Sequence, residues 1–201
     1  YVSDGIFYCN GTGGEMRRYL LLNNVQAGDL VTFYAGTSNT SSKNIHFAHV
    51  QFDAESGTFA KSGKQDESAP IVQASQSNPG RYSYIAEFDG SYKIYTDSNA
   101  GKPVFYRVVH TPGVLVKGKL LSLPSESASL KFVCGQTNQE FTASISDGSY
   151  TVNLSPSYSY TAVLTGVKGY GIDNTSKAVV LTSVAGGTDV TQDLNVAEQK
   201  T

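Results

Sequence analysis

The chain contains no tryptophan, one methionine, three histidines and two cysteines, and only 16% of its 201 residues are charged. Without tryptophan, a surface that stacks flat ligands has to use tyrosine, phenylalanine or cations. A net charge of −2 excludes a general nucleic-acid binder, which presents a basic face. No apolar run approaches the roughly 18 residues a membrane-spanning helix needs. Helix-favouring runs are scarce as well, which points away from helical bundles. The start at Tyr1 reads as an excised piece with no signal peptide.

Catalytic motifs are equally sparse. His46, His49 and His110 sit in no nucleophile or metal motif. His46 and His49 are three apart on an expected strand, so they point to opposite faces, one at the core edge and one exposed. There is no Gly-X-Ser-X-Gly turn and no Cys-X-X-Cys. Gly11-Thr12-Gly13-Gly14 lacks the lysine and the following helix of a phosphate loop. Asp53, Glu55, Asp66, Glu67, Glu87, Asp89 and Asp97 mostly fall at expected turns, with Glu87 alone in mid-strand, and no acid–base pair can be built from them. No cofactor is expected, although loop carboxylates and carbonyls leave a structural calcium site open. Cys134 follows Leu130 and Phe132 at period two on a buried strand face, and it and Cys9 are expected to be free, buried thiols. Asn10, Asn39, Asn153 and Asn174 begin Asn-X-Ser/Thr triplets, which matter only in a eukaryotic secretory pathway.

What is abundant is strand and turn material: 20 Gly, 13 Tyr and 9 Phe, with much Ser, Thr and Asn. Asp-Gly-Ser-Tyr occurs at 89–92 and again at 147–150, each copy opening an alternating run. Asp-Gly supplies the positive φ of a hairpin, and the tyrosine starts the returning strand. His110-Thr111-Pro112-Gly113 marks a seam between two strand-rich halves. The chain therefore reads as all-β, with two tandem antiparallel β-sandwich domains over residues 1–111 and 112–201. In the first, strands are expected at 18–22, 30–35, 45–52, 82–88, 92–96 and 104–109. Residues 56–80 are expected to form a long polar loop, which suggests function or mobility. In the second, seven short strands are expected at 114–121, 129–134, 140–145, 150–154, 159–165, 177–181 and 188–196, the spacing of a small sandwich.

The candidate site lies at the end of the first domain. Alternation puts Tyr92 and Ile94 on one face and Lys93 and Tyr95 on the other. It also sets Val104, Tyr106 and Val108 against Phe105, Arg107 and Val109. With Arg81 nearby, Lys93, Tyr95 and Arg107 on a solvent face make a flat basic and aromatic platform. Sugar rings stack on such aromatics, while Arg and Lys pair with carboxylates. The alternative is an ordinary exposed sheet face, or a loop site within 56–80.

Gly11-Thr12-Gly13-Gly14, Arg17-Arg18-Tyr19, 27–35 and Gly90-Ser91-Tyr92-Lys93-Ile94-Tyr95 resemble the ancillary β-sandwich modules attached to secreted bacterial pectate lyases and pectin esterases. Val116-Lys117-Gly118-Lys119-Leu120 and 147–154, with Tyr160 and Gly169-Tyr170, resemble a transthyretin-like, carboxypeptidase-regulatory sandwich. The resemblance implies a jelly-roll-like carbohydrate-binding domain followed by an immunoglobulin- or transthyretin-like one. It also implies an extracellular or cell-surface bacterial setting and a monomer without catalysis of its own, covalently linked to a pectin-degrading catalytic domain. The implied partner is an acidic pectic glycan, held by Arg81, Lys93, Tyr95 and Arg107. The competing expectation is a spacer or adhesin-like stalk with no sugar affinity.

Overall fold

The structure is a computed structural model that describes residues 2–3, 6–8, 13–37, 43–73, 78–98, 103–124 and 127–199. The expectations for Cys9, Asn10, Asn39 and Gly11-Thr12 lie outside the described residues. Among the described residues the regular elements are all strands, as the composition implies. The chain divides into two compact units, Tyr1–Gln26 with Leu30–His110, and Ala27–Asp29 with Thr111–Thr201.

The first unit contains β1 (Val2–Ser3), β2 (Ile6–Tyr8), β3 (Tyr19–Val25), β4 (Leu30–Thr37), β5 (Lys43–Asp53), β6 (Thr58–Ile71), β7 (Gly80–Ile85), β8 (Gly90–Thr96) and β9 (Pro103–Thr111). They form a five-stranded sheet in the order β1-β2-β9-β4-β7 and a four-stranded sheet in the order β3-β8-β5-β6. Apolar residues at period two give each sheet a buried face. Val31, Phe33 and Ala35 from one sheet meet Ile45, Phe47, Tyr92 and Ile94 from the other in a single core. A run of stacked rings crosses between the sheets. Phe33 lies 5.4 Å from Tyr82 and 5.9 Å from Tyr84, and Phe47 lies 5.4 Å from Tyr84 and 4.5 Å from Tyr92. Each buried ring of this kind contributes about 1.5–3 kcal/mol through burial alone.

Two expectations fail here. Most of the expected loop at 56–80 is strand β6, paired with β5 from Asp53↔Thr58 to Lys43↔Ile71. Its polar composition suits an edge strand: most of its residues are exposed or half-buried, and the pairing with β5 is interrupted around Ser62–Gln65. Charged side chains, a bulge and Pro70 are the features that keep an exposed edge from pairing with other chains. The second failure is in β9, where Phe105 and Val108 both pack on the core. That odd spacing breaks the expected alternation of Tyr106 and Arg107.

The second unit contains β10 (Val114–Leu121), β11 (Ser129–Cys134), β12 (Glu140–Thr142), β13 (Ser144–Ser146), β14 (Ser149–Leu154), β15 (Ser159–Thr165), β16 (Tyr170–Ile172), β17 (Ala178–Val180), β18 (Asp189–Thr191) and β19 (Leu194–Glu198). One sheet runs β13-β14-β10-β19-β16, with β18 also on β10, and the other runs β12-β11-β15-β17. Phe132 of one sheet lies 5.5 Å from Tyr150 of the other, and free, buried Cys134 shares the inward face of β11 with Leu130 and Phe132.

Two of the expected strands are each divided. The segment at 140–145 changes sheets at Ala143, so β12 pairs with β11 and β13 with β14. The segment at 188–196 becomes β18 and β19, and both run parallel to β10. The sheet is therefore mixed rather than purely antiparallel. Between those two strands the carbonyl oxygen of Gln192 lies so close to Gly118 that a Cβ there would be 1.9 Å away. Only glycine admits that crossing.

Candidate functional site

The four residues expected to share a platform are split between two sheets. Lys93 and Tyr95 lie on β8 of the four-stranded sheet, whereas Arg81 on β7 and Arg107 on β9 belong to the five-stranded one. Alternation holds on β8: Tyr92 and Ile94 enter the core, and Lys93 and Tyr95 take the opposite face. That opposite face is not open to solvent, since Lys93 is fully buried and Tyr95 is 4% exposed. A turn at 14–18, closed by Arg17 and Arg18 amides on the Gly14 carbonyl, supplies part of the cover. The Lys93 ammonium donates to the Glu15 carbonyl at 3.1 Å and to the Phe59 carbonyl, and it sits 4.1 Å from the centre of the Tyr19 ring. Burial lowers its pKa, opposed by the Glu15 charge. Lys93 is thus an internal pin between turn and sheet. Arg81 and Arg107 are exposed, and Arg81 stands opposite Tyr34 in the β4–β7 register.

Beside Lys93 lies a half-buried charge network. The His46 ring stacks on Tyr95 at 4.7 Å and 6°. Its Nε2 is 2.8 Å from Asp97 Oδ1, while its Nδ1 makes no hydrogen bond and lies at ion-pair distance, 3.5 Å, from Asp66. Asp66 accepts from Lys61 at 2.9 Å, and Lys61 lies 3.8 Å from Glu15. The hydrogen bond to Asp66 is the main reason the Lys61 pKa is raised, against the effect of its burial. For Asp97, burial works upward, but hydrogen bonds from His46 and the Asn44 amide together outweigh it and leave the carboxyl below its ordinary value. Each imidazole nitrogen faces a carboxylate. The network ties β5, β6 and β8 to the turn. Among the described residues no three His, Cys, Asp or Glu side chains are grouped to hold a metal ion.

His49, on the face opposite His46, is 2% exposed. Its Nδ1 is 2.6 Å from Ser62 Oγ and its Nε2 is 3.1 Å from the Asp89 carbonyl, so it braces the Asp89-Gly90 corner from inside. Outside that corner is a shallow cleft of about 330 Å³, lined by Asn24, Val25, Gln26, Asp89, Gly90 and Ser91. Its shape comes from backbone irregularity. Asn24 has φ +58° within a register shift between Leu22 and Val25, and Gly90 has φ +145°. Two amides, a carboxylate and a hydroxyl thus line one small volume. Elsewhere on this unit Phe52 is 60% exposed and meets Phe59 edge-on at 5.4 Å.

Sequence reasoning missed the cleft because its two sides are joined only by the β3–β8 pairing. It missed Phe59 as a strand residue because β6 was read as loop. The repeated Asp-Gly was the one local signal for the Asp89 side. No family model and no curated protein matches this chain.

Proposed function

We propose that the protein is a non-catalytic carbohydrate-binding pair that holds a pectin-degrading catalytic domain on plant cell-wall polysaccharide, outside a bacterial cell. The observation that carries this reading is the polar cleft beside β8, lined by Asn24, Gln26, Asp89 and Ser91. Sugars present hydroxyls that donate and accept at once, and planar amides and carboxylates can pair with two of them together. A volume of about 330 Å³ is at the small end of ligand pockets and suits the end or edge of a glycan rather than a long enclosed chain. Exposed Phe52 offers a face for stacking, and exposed Arg81 and Arg107 suit a carboxylate-bearing polymer.

A spacer or adhesin-like stalk is the second reading. It is favoured by the burial of Lys93 and Tyr95, which turns two of the expected sugar contacts into internal structure. Affinity electrophoresis in gels containing polygalacturonate, methyl-esterified pectin, xylan or cellulose separates the two. The expected result is retardation by a pectic polymer that is weakened in an Asn24→Ala/Asp89→Ala variant. Free migration in all four gels would leave the spacer reading standing.

A further inference from the structure

The strand register of the second unit lays out a flat polar surface. Along β10, Val114, Val116 and Leu120 are buried, while Lys117 and Lys119 take the other face, between exposed Leu115 and Leu121. Lys117 pairs with Thr151 and Lys119 with Ser149 on β14, and these pair in turn with Ser144 and Ser146 on β13. On the other flank Lys117 pairs with Thr191 of β18. Residues directly opposite each other in a sheet share a face. Two lysines, rooted about 7 Å apart along β10, are therefore bordered by five hydroxyl residues on three other strands, with neighbouring strands spaced by about 4.8 Å. A shallow hollow of about 340 Å³ lies over the centre of this grid, with the Asp193 carboxylate in its lining beside the two lysines.

Neither lysine is held in a buried pair. Among the described residues the Lys119 ammonium makes no hydrogen bond or ion pair; its backbone amide binds Asp193 at 2.8 Å. Lys117 meets Asp189 at 2.5 Å, but the two side chains are 43% and 55% exposed. Ion pairs this exposed are weak and exchange readily with another carboxylate.

We propose that this face binds an anionic polysaccharide, its carboxylates meeting Lys117 and Lys119 and its hydroxyls meeting Ser149, Thr151 and Thr191. Hydroxyls on both flanks of Lys117 and on one flank of Lys119 suit a polymer that itself carries alternating acid and hydroxyl groups. Two cations are few for a nucleic-acid backbone, which is gripped through many phosphate contacts. The proposal rests on the glycan-binding reading for its class of ligand, but it uses a different unit and different residues.

The test is residue-resolved NMR titration of the full chain with a short oligogalacturonate, its fully methyl-esterified form, a glutamate oligopeptide and a single-stranded DNA oligomer. Expected are shifts centred on β10 and β14 with the oligogalacturonate. Binding should be about tenfold weaker in Lys117→Gln/Lys119→Gln, a loss of about 1.4 kcal/mol, and largely kept in Lys117→Arg/Lys119→Arg. The methyl ester should leave β10 unmoved, and Asn24→Ala/Asp89→Ala should not alter the β10 response. Unchanged affinity in the glutamine variant overturns the proposal. So does equal binding of the glutamate peptide or the DNA, which would make the surface a general anion patch. Loss of cleft binding with the β10 response intact would instead overturn only the reading of the first unit.

Discussion

At residues 147–150 Asp-Gly-Ser-Tyr closes a two-residue hairpin, while at 89–92 the same four residues turn a corner from one sheet into another. In the second unit Asp147 and Gly148 both have positive φ, +49° and +69°, and Ser146 pairs directly with Ser149. That is the type I′ geometry the dipeptide favours. In the first unit the preceding strand β7 pairs with β4 and β8 pairs with β3 and β5, so no hairpin forms. Both tyrosines nevertheless enter a core and anchor their hydroxyls. Tyr150 donates to the Gln192 carbonyl at 2.7 Å. Tyr92 accepts from the Phe88 amide at 3.2 Å and has Gln65 Oε1 and the Phe88 carbonyl as alternative acceptors. Burial pushes the Tyr150 hydroxyl up to about 12 and drives that of Tyr92 up as well. The comparison shows that the motif decides where the backbone bends and which residue goes inside. The neighbouring strands decide what the bend connects.

The largest test of this comparison is truncation of the shared tyrosine. Tyr92→Ala and Tyr150→Ala should each destabilise their own unit by about 3–5 kcal/mol, read by hydrogen exchange resolved for each unit. A loss much smaller in one copy would break the claim that both tyrosines are core anchors. The turn glycines should then separate the copies. In Gly90→Ala the new Cβ would lie 2.6 Å from buried His49 Nε2, and a cost of about 2–3 kcal/mol is expected in denaturant unfolding. Gly148→Ala meets nothing within 4 Å and should cost only about 1 kcal/mol, through its φ alone. Equal costs would contradict the buttressing role of His49. Removing only the hydroxyl, Tyr92→Phe should cost about 1–3 kcal/mol because it strips buried partners, and Tyr150→Phe about 1 kcal/mol.

The smallest effect is the pH dependence that Asp97 gives the first unit. Asp97 is held below its ordinary value of 3.8, so its contribution is complete above that value and disappears as pH falls through the folded-state value. The side chain is 34% exposed, so the contribution is a few tenths of a kcal/mol after screening. Acid titration of unfolding should show a shallower loss below pH 4 in Asp97→Asn than in the unchanged chain. Identical slopes would remove Asp97 from the acid response.

Much of the fold was legible because strands announce themselves residue by residue. The inward face of β11 and the opposed faces of His46 and His49 follow from period two alone. The polar strand β6 was not legible: an edge strand need not alternate strongly when water takes one side and one row of its backbone. The candidate platform failed for a related reason. Alternation correctly set Lys93 and Tyr95 away from the core, but no local rule revealed that the turn at 14–18 would fold over Lys93. The Lys117–Lys119 surface was hidden because its hydroxyls come from three other strands.

The sequence by itself determined the all-strand class, the inward faces of strands such as β8 and β11 and the two Asp-Gly bends, since each follows from backbone sterics and alternation over a few residues. Tertiary structure alone decided which faces remain in water, where β12 and β13 part between sheets, and how His46, Asp66, Asp97 and Lys61 meet. Those outcomes depend on pairing partners distant along the chain, and a residue's exposure is a property of what packs on it rather than of its own side chain.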